Sequence, residues 1–227
     1  LAKRGAAQMN LSSEEARTKL ALVQRTTPAA LARKVRDWTG IAREFRVYRI
    51  DRSRAQSFQA DARVQRNSLS DLLCFQPAES WQSRDDFLSA ALTRLEQGES
   101  AYTVKIDSRL AHSGWMAFNP AELYMPEVDQ TLKFPPGSVV LYDFYSQPKF
   151  RGQGLYRATL AHMLHTAFTK QDTQYAYMCV LADNLPSRHV IEALGFEHQG
   201  SFFWESRFGE VKKWADSIFE ESRPVGA

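Results

Sequence analysis

One stretch limits what this chain can fold into more than any other. From Gly137 to Lys170 a β-branched and aromatic run meets a glycine turn and then a helical pattern. Val139 to Tyr145 has the composition of a strand. Pro148 has no amide to give to a ladder, so the strand stops before it. After Arg151-Gly152-Gln153-Gly154, apolar side chains recur at helical period through Tyr156, Leu160, Met163, Leu164, Ala167 and Phe168. Strand, glycine turn and helix start in series make an anion site. Glycine lets the backbone come close to a ligand, the first amides of a helix have no intrahelical acceptor, and the helix dipole favours negative charge there. Arg151 adds a cation whose geometry suits phosphate. No Lys-Ser/Thr pair follows the glycines, so this is not a Walker loop, and Gly-x-Gly alone is too short for the dinucleotide fingerprint.

A second segment follows in the order that this site needs. Tyr175 to Leu181 reads as a buried strand, and Ala182-Asp183-Asn184-Leu185-Pro186-Ser187 opens a short helix that ends in Leu194-Gly195-Phe196. Asn184 can cap that helix, Pro186 suits its first turn, and Gly195 suits a left-handed end. The two segments together resemble the two signatures of the GNAT acetyltransferase superfamily. Its acetyl-CoA loop, Gln/Arg-x-x-Gly-x-Gly/Ala, is matched by Lys149-Phe150-Arg151-Gly152-Gln153-Gly154, with Lys149 departing from the first position but keeping its charge. The resemblance implies an α/β (α+β) fold: a central mixed, mostly antiparallel sheet of six to seven strands flanked by helices. Residues 41–222 would form that acyltransferase domain, after a helical extension over 1–40 and before a tail at 223–227.

The extension is read from the residues alone. Ser12 to Glu15 forms a capping box, with Leu11 and Ala16 placed as a hydrophobic staple and Ala16, Leu20 and Val23 as one stripe. Thr27-Pro28 starts a second helix carrying Leu31, Val35 and Trp38, which Gly40 ends. The net charge of +3 hides an asymmetry, because residues 1–54 hold 13 Lys and Arg against 5 Asp and Glu. A basic segment beside an acidic body fits an anionic partner, such as an acyl carrier protein, as well as it fits a solvated helix surface. At 44% hydrophobic residues the 227-residue chain can bury a full core, and no apolar run reaches the length of a membrane span. It is therefore expected to be soluble and cytoplasmic, although Leu1 in place of Met leaves a lost targeting segment open. Cys74 and Cys179, the only cysteines, read as reduced and structural.

Along the body, Phe45 to Asp51 alternates as the first strand, and Ala55 to Phe75 reads as helix with a break near Asn67. Ser83 caps a helix whose buried face is Phe87, Leu88, Ala91, Leu92 and Leu95, with Gly98 as its stop. Tyr102 to Asp107 and Ala111 to Phe118 form a hairpin about Ser108-Arg109. Asn119 to Pro136 runs for 18 residues with four prolines and no clear period, so it reads as a loop that binds the acceptor. Phe196 to Gln199 and Ser201 to Phe208, punctuated by Gly200 and Gly209, fit the final hairpin of the fold, with an aromatic cluster over Phe202, Phe203, Trp204 and Phe208. That cluster fits core packing, a homodimer surface or a pocket for a long acyl chain. Val211, Trp214, Ala215, Ile218 and Phe219 recur at helical spacing and predict a closing helix.

The resemblance also implies a chemistry. Pyrophosphate of CoA would rest on the amides of Arg151, Gly152, Gln153, Gly154, Leu155 and Tyr156, with Lys149 and Arg151 as cations. Pantetheine would lie between the diverging strands and touch Asn184 and Ser187, and backbone amides near Tyr145 and Ser146 would face the thioester carbonyl. An amine then attacks acetyl-CoA, or another acyl-CoA, directly. The expected base is Asp143, with Glu122 in reserve; the family's usual tyrosine acid is replaced by Ile191, so Tyr145 or Tyr156 would stand in. The acceptor would be a small-molecule or peptide amine, and nucleic acid is not an expected partner. His162 and His165 lack a third ligand, so no metal is expected. A member that binds CoA without catalysis is the competing class.

Overall fold

A computed structural model of the chain describes residues 40–80, 82–170 and 172–216. The predicted helices within 1–39, the tail at 223–227 and the predicted helical positions Ile218 and Phe219 lie outside those residues. The described part falls into two units, one comprising 43–204 with 213–216 and a small one comprising 40–42 with 205–212.

The elements run in the order β1 (Ile41–Asp51), a 3-10 turn (Arg52–Ser57), β2 (Gln65–Arg66), α1 (Leu69–Leu72), α2 (Arg84–Glu96), β3 (Ser100–Ile106) and β4 (Arg109–Phe118). Then come β5 (Glu122–Met125), β6 (Gln130–Lys133), β7 (Ser138–Ser146), a 3-10 turn (Pro148–Phe150), α3 (Leu155–Thr169), β8 (Tyr175–Leu181), α4 (Leu185–Ala193), β9 (Glu197–Arg207) and β10 (Glu210–Ala215). Eight strands form one sheet in the order β10-β9-β1-β8-β7-β4-β3-β2, and β5 with β6 forms a separate pair. β7 and β8 run parallel, while β1–β8, β2–β3, β3–β4 and β4–β7 are antiparallel. No helix among the described residues is long and apolar enough to cross a membrane.

The sheet buries one face under α3. Leu160, Met163 and Leu164, all fully buried, pack there with Leu141, Val139, Ala176 and Met178 of β7 and β8. This is the apolar stripe expected of α3, and it fixes the helix directly behind the strand that leads into it. The other face carries two clusters, one under α1 and α2 around Phe75, Phe87 and Trp115, and one under the β5–β6 hairpin around Met125, Val128 and Phe134. α2 begins as expected, with the Ser83 side chain accepting the Asp86 N–H. Its buried stripe is narrower than expected, since Phe87 and Ala91 are buried but Leu92 is 54% exposed on the helix flank.

Four expectations are corrected. The predicted helix over Ala55 to Phe75 survives only as the 3-10 turn and the single turn α1. Asn67 is the reason: its φ is 54°, its N–H donates to Ala101 O, and its Oδ1 accepts the Ala101 N–H. Those tertiary bonds to β3 outweigh local helix propensity. The predicted loop from Asn119 to Pro136 holds a hairpin, registered from Glu122↔Lys133 to Met125↔Gln130, whose apolar side pays into the core. The closing helix predicted through Val211, Trp214 and Ala215 is strand β10, because Phe208 and Gly209 (φ 52° and 85°) make a two-residue hairpin turn. The Trp214 ring then stacks on Phe203, centroids 5.1 Å apart. Phe196 to Gln199 and Ser201 to Phe208, expected as separate segments, fall mostly within one strand, β9.

Candidate active site

The cleft begins with a failure of two strands to stay together. β7 pairs with β8 only at Ser138↔Tyr175, Val139↔Ala176 and Val140↔Tyr177, although β7 runs on to Ser146 and β8 to Leu181. A bulge accompanies the parting. The β4–β7 register shifts between Ser113 and Trp115, and the extra residue on β7 lies beside Asp143, which holds φ at 50°. A bulge bends its strand and increases local twist, and a non-glycine residue at positive φ is held there only by its surroundings. Gly114 of β4 makes the fit possible, since a Cβ there would stand 2.5 Å from the Phe144 ring.

Beside the parted end of β7 opens a cleft of about 650 Å³, walled by β7, the glycine turn and the first residues of α3 and α4. One rim is the glycine turn. Gly152 and Gly154 hold φ at 77° and 71°, and no atom lies within 4 Å of where either Cβ would be. Gly154 is the N-cap of α3 and offers no side chain to cap the first amides. The opposite rim is the start of α4, where Asn184 Oδ1 accepts the Ser187 N–H at 3.2 Å. Tyr145, Ser146, Arg151, Gly152 and Gly154 line this cleft, as do Leu155, Tyr156, Asn184 and Ser187. Lys149 and Gln153 are not on its wall; the Lys149 ammonium sits 5.6 Å from the Phe150 ring centroid.

The cations are arranged differently from expectation. Arg151 donates from Nη2 to Glu79 Oε1 at 3.0 Å and from Nε to the Ser146 carbonyl at 3.1 Å, so a ligand phosphate must compete with a carboxylate for it. Arg157, in the first turn of α3, also lines the cleft and makes no ion pair among the described residues. Its place three residues after Gly154 was the signal available in the sequence.

At the inner end of the cleft stand two residues that no motif marks, His112 and Phe144. His112 of β4 faces Ser146 of β7 across the ladder, with Nδ1 2.7 Å from Ser146 Oγ. The His112 side chain is buried, its Nε2 has no partner among the described residues, and burial pulls its pKa down to about 4. The Phe144 and Tyr156 rings flank it at 6.1 and 6.0 Å. Tyr156 Oη lies 2.9 Å from Ser187 Oγ, and burial pushes the phenol up to about 12. Ile191 is fully buried in the core beneath α4.

The carboxylates lie elsewhere. Asp143 accepts from Arg94 Nη1 at 2.5 Å, and Arg94 in turn lies over the Trp115 and Tyr142 rings at 5.0 and 5.2 Å. Tyr142 donates its hydroxyl to Glu99, and burial together with that bond raises the phenol far above its ordinary range. Tyr145 reaches the cleft from this side, and its pKa is raised mainly by burial. Glu122 stands on β5 opposite Lys133 and is not on the cleft wall.

Neither helix histidine is arranged as a ligand. His162 Nδ1 is 3.1 Å from the backbone N and O of Asp61, and His165 Nδ1 is 3.0 Å from the Phe58 carbonyl. They fasten the connection after β1 onto α3. Among the described residues no group of three potential metal ligands occurs. Cys74 and Cys179 are both free thiols, with Cys179 pushed up to about 12 by burial.

Residues 43–197 match the family model for an acetyltransferase (GNAT) domain. No curated protein matches the chain. Among solved structures, a GNAT-family acetyltransferase from Colwellia psychrerythraea superposes with a TM-score of 0.51 at 12% identity, covering 85% of this chain and 62% of that one. A GNAT-family protein from Novosphingobium aromaticivorans superposes with a TM-score of 0.49 at 14% identity, covering 73% and 64%. This chain therefore spans less than two thirds of the length of either.

Proposed function

The chain belongs to the GNAT acetyltransferase family, and from that premise we propose that it transfers an acetyl group from acetyl-CoA to a primary amine. One observation carries the reading: β7 and β8 part after three paired residues and open a cleft flanked by the glycine turn and the start of α4. The first amides of α3 and Arg157 hold the pyrophosphate, joined by Arg151 once it leaves Glu79. Pantetheine occupies the gap between the strands, near Asn184 and Ser187. Rings of Phe144, Tyr156 and His112 close the inner end, which favours a short acyl group. A longer acyl group, from acyl-CoA or a carrier protein, would overpack that end.

The amine nitrogen attacks the thioester carbon, the carbonyl oxygen gains charge beside the backbone amides near Tyr145 and Ser146, and the C–S bond then breaks. The amine's proton leaves to Asp143 in this reading, held by Arg94 at the bulge; Glu122, on the hairpin, is the weaker candidate. A thiol has pKa ~8.5, so the thiolate departs with little proton assistance, and Tyr145 or Tyr156, both on the cleft wall, is the phenol to give it. The buried Ile191 favours a second reading, a module that binds CoA without turnover. Thiol release from acetyl-CoA and octanoyl-CoA across a panel of small-molecule and peptide amines separates the two. Release with acetyl-CoA and at least one amine, slowed at least about tenfold by Asp143→Asn at unchanged melting temperature, is expected. Tight binding with no release for any amine would establish the non-catalytic module.

A further inference from the structure

The proposed reaction leaves unexplained why a histidine is buried at the inner end of the cleft with one ring nitrogen unpartnered among the described residues. His112 is 1% exposed, its Nε2 meets no hydrogen-bond partner among the described residues, and its Nδ1 is 2.7 Å from the hydroxyl of Ser146, a residue of the cleft wall. Two tautomers satisfy that contact. With the proton on Nε2, the Ser146 hydroxyl donates to Nδ1 and a ring N–H is left buried and unpaired. With the proton on Nδ1, Ser146 Oγ accepts from the ring, its own hydrogen is released, and the orphan on Nε2 is a lone pair. Buried unpaired N–H groups are rarer than unpaired acceptors, so the second arrangement is favoured. Among the described residues the partners of His112 are Ser146 and the Phe144 and Tyr156 rings, with no carboxylate among them to charge the imidazole.

We infer that His112 is a positioning residue that turns the Ser146 hydroxyl into a side-chain donor for the carbonyl oxygen of the bound thioester. The inference rests on the reading that the cleft takes a CoA thioester. Ser146 follows Tyr145 at the end of β7, so its hydroxyl adds a third donor beside the backbone amides assigned to that oxygen. A donor fixed before the substrate arrives costs no reorganisation when charge develops. No covalent step is involved: Ser146 keeps its proton and lends it as a hydrogen bond. The pair escaped sequence reading because 34 positions separate its members and only the β4–β7 register brings them together.

The test needs no acceptor amine. The infrared carbonyl stretch of acetyl-CoA carrying ¹³C at the carbonyl is measured bound to the full chain, for wild type, Ser146→Ala and His112→Phe. The expected result is a lower stretch in wild type than in free acetyl-CoA, returning part of the way in both variants while CoA affinity stays within about twofold. An unchanged stretch in bound Ser146→Ala overturns the inference alone. Failure of wild type to bind acetyl-CoA overturns it together with the proposed function. If His112→Phe does not fold, ¹⁵N spectra of wild type decide the point: a protonated Nδ1 with bare Nε2 is required, and the reverse tautomer overturns the proposal.

Discussion

His112 sets a pH signature that belongs to one residue. Burial lowers its pKa from 6.5 to about 4, so the unfolded chain binds this proton more readily than the folded one. Stability from its neutral form is complete above about pH 6.5 and is lost as pH falls toward 4, by up to about 3 kcal/mol. Chemical denaturation of wild type and His112→Phe at pH 7 and pH 5 checks this. The stability gap between the two proteins should move in favour of the variant at pH 5; a gap that does not change with pH contradicts the assignment. Asp143 shows the other side of residue-scale reading. Its place on the strand was legible, but its positive φ and its pairing with Arg94 come from the bulge, and no local pattern in the sequence announces a bulge.

At the scale of elements, the β4–β7 bulge that accompanies the parting of β7 from β8 is fitted around one glycine. Gly114→Ala places a methyl 2.5 Å from the Phe144 ring, an aromatic packed against Tyr156 and His112 rather than the flexible end of a chain. Overpacking there should cost about 1–3 kcal/mol and weaken acetyl-CoA binding as the bulge shifts. Thermal unfolding and titration read both effects, and a variant with wild-type stability and affinity contradicts the role given to the bulge. The strand-turn-helix unit from Ser138 to Thr169 and the unit from Tyr175 to Ala193 were readable because propensity, punctuation and tertiary role agree in them. The segments around Asn67, Glu122–Lys133 and Glu210–Ala215 were misread for the opposite reason. Asn67 takes its conformation from Ala101, distant in sequence, while β10 is turned back by Phe208 and Gly209 so that Trp214 stacks on Phe203. In the hairpin, prolines at 120, 126, 135 and 136 hid an alternation that buries Met125, Leu132 and Phe134.

For the whole molecule, the account makes the cleft a CoA site whose charges are partly satisfied before the ligand arrives. Glu79 occupies Arg151, so Glu79→Gln should tighten CoA binding by a few fold at low salt, with the gain fading at high salt. Equal affinity for variant and wild type at every ionic strength would remove Glu79 from the account. The most direct test of the central claim is calorimetric titration of the full chain with acetyl-CoA and with CoA, wild type beside Gly152→Glu. Gly152 holds φ at 77° with open space before it, so a carboxylate there strains the turn and stands where pyrophosphate must sit. The account predicts saturable binding of one ligand per chain by wild type and its loss in the variant. Absence of binding by wild type, or undiminished binding by Gly152→Glu, would contradict it.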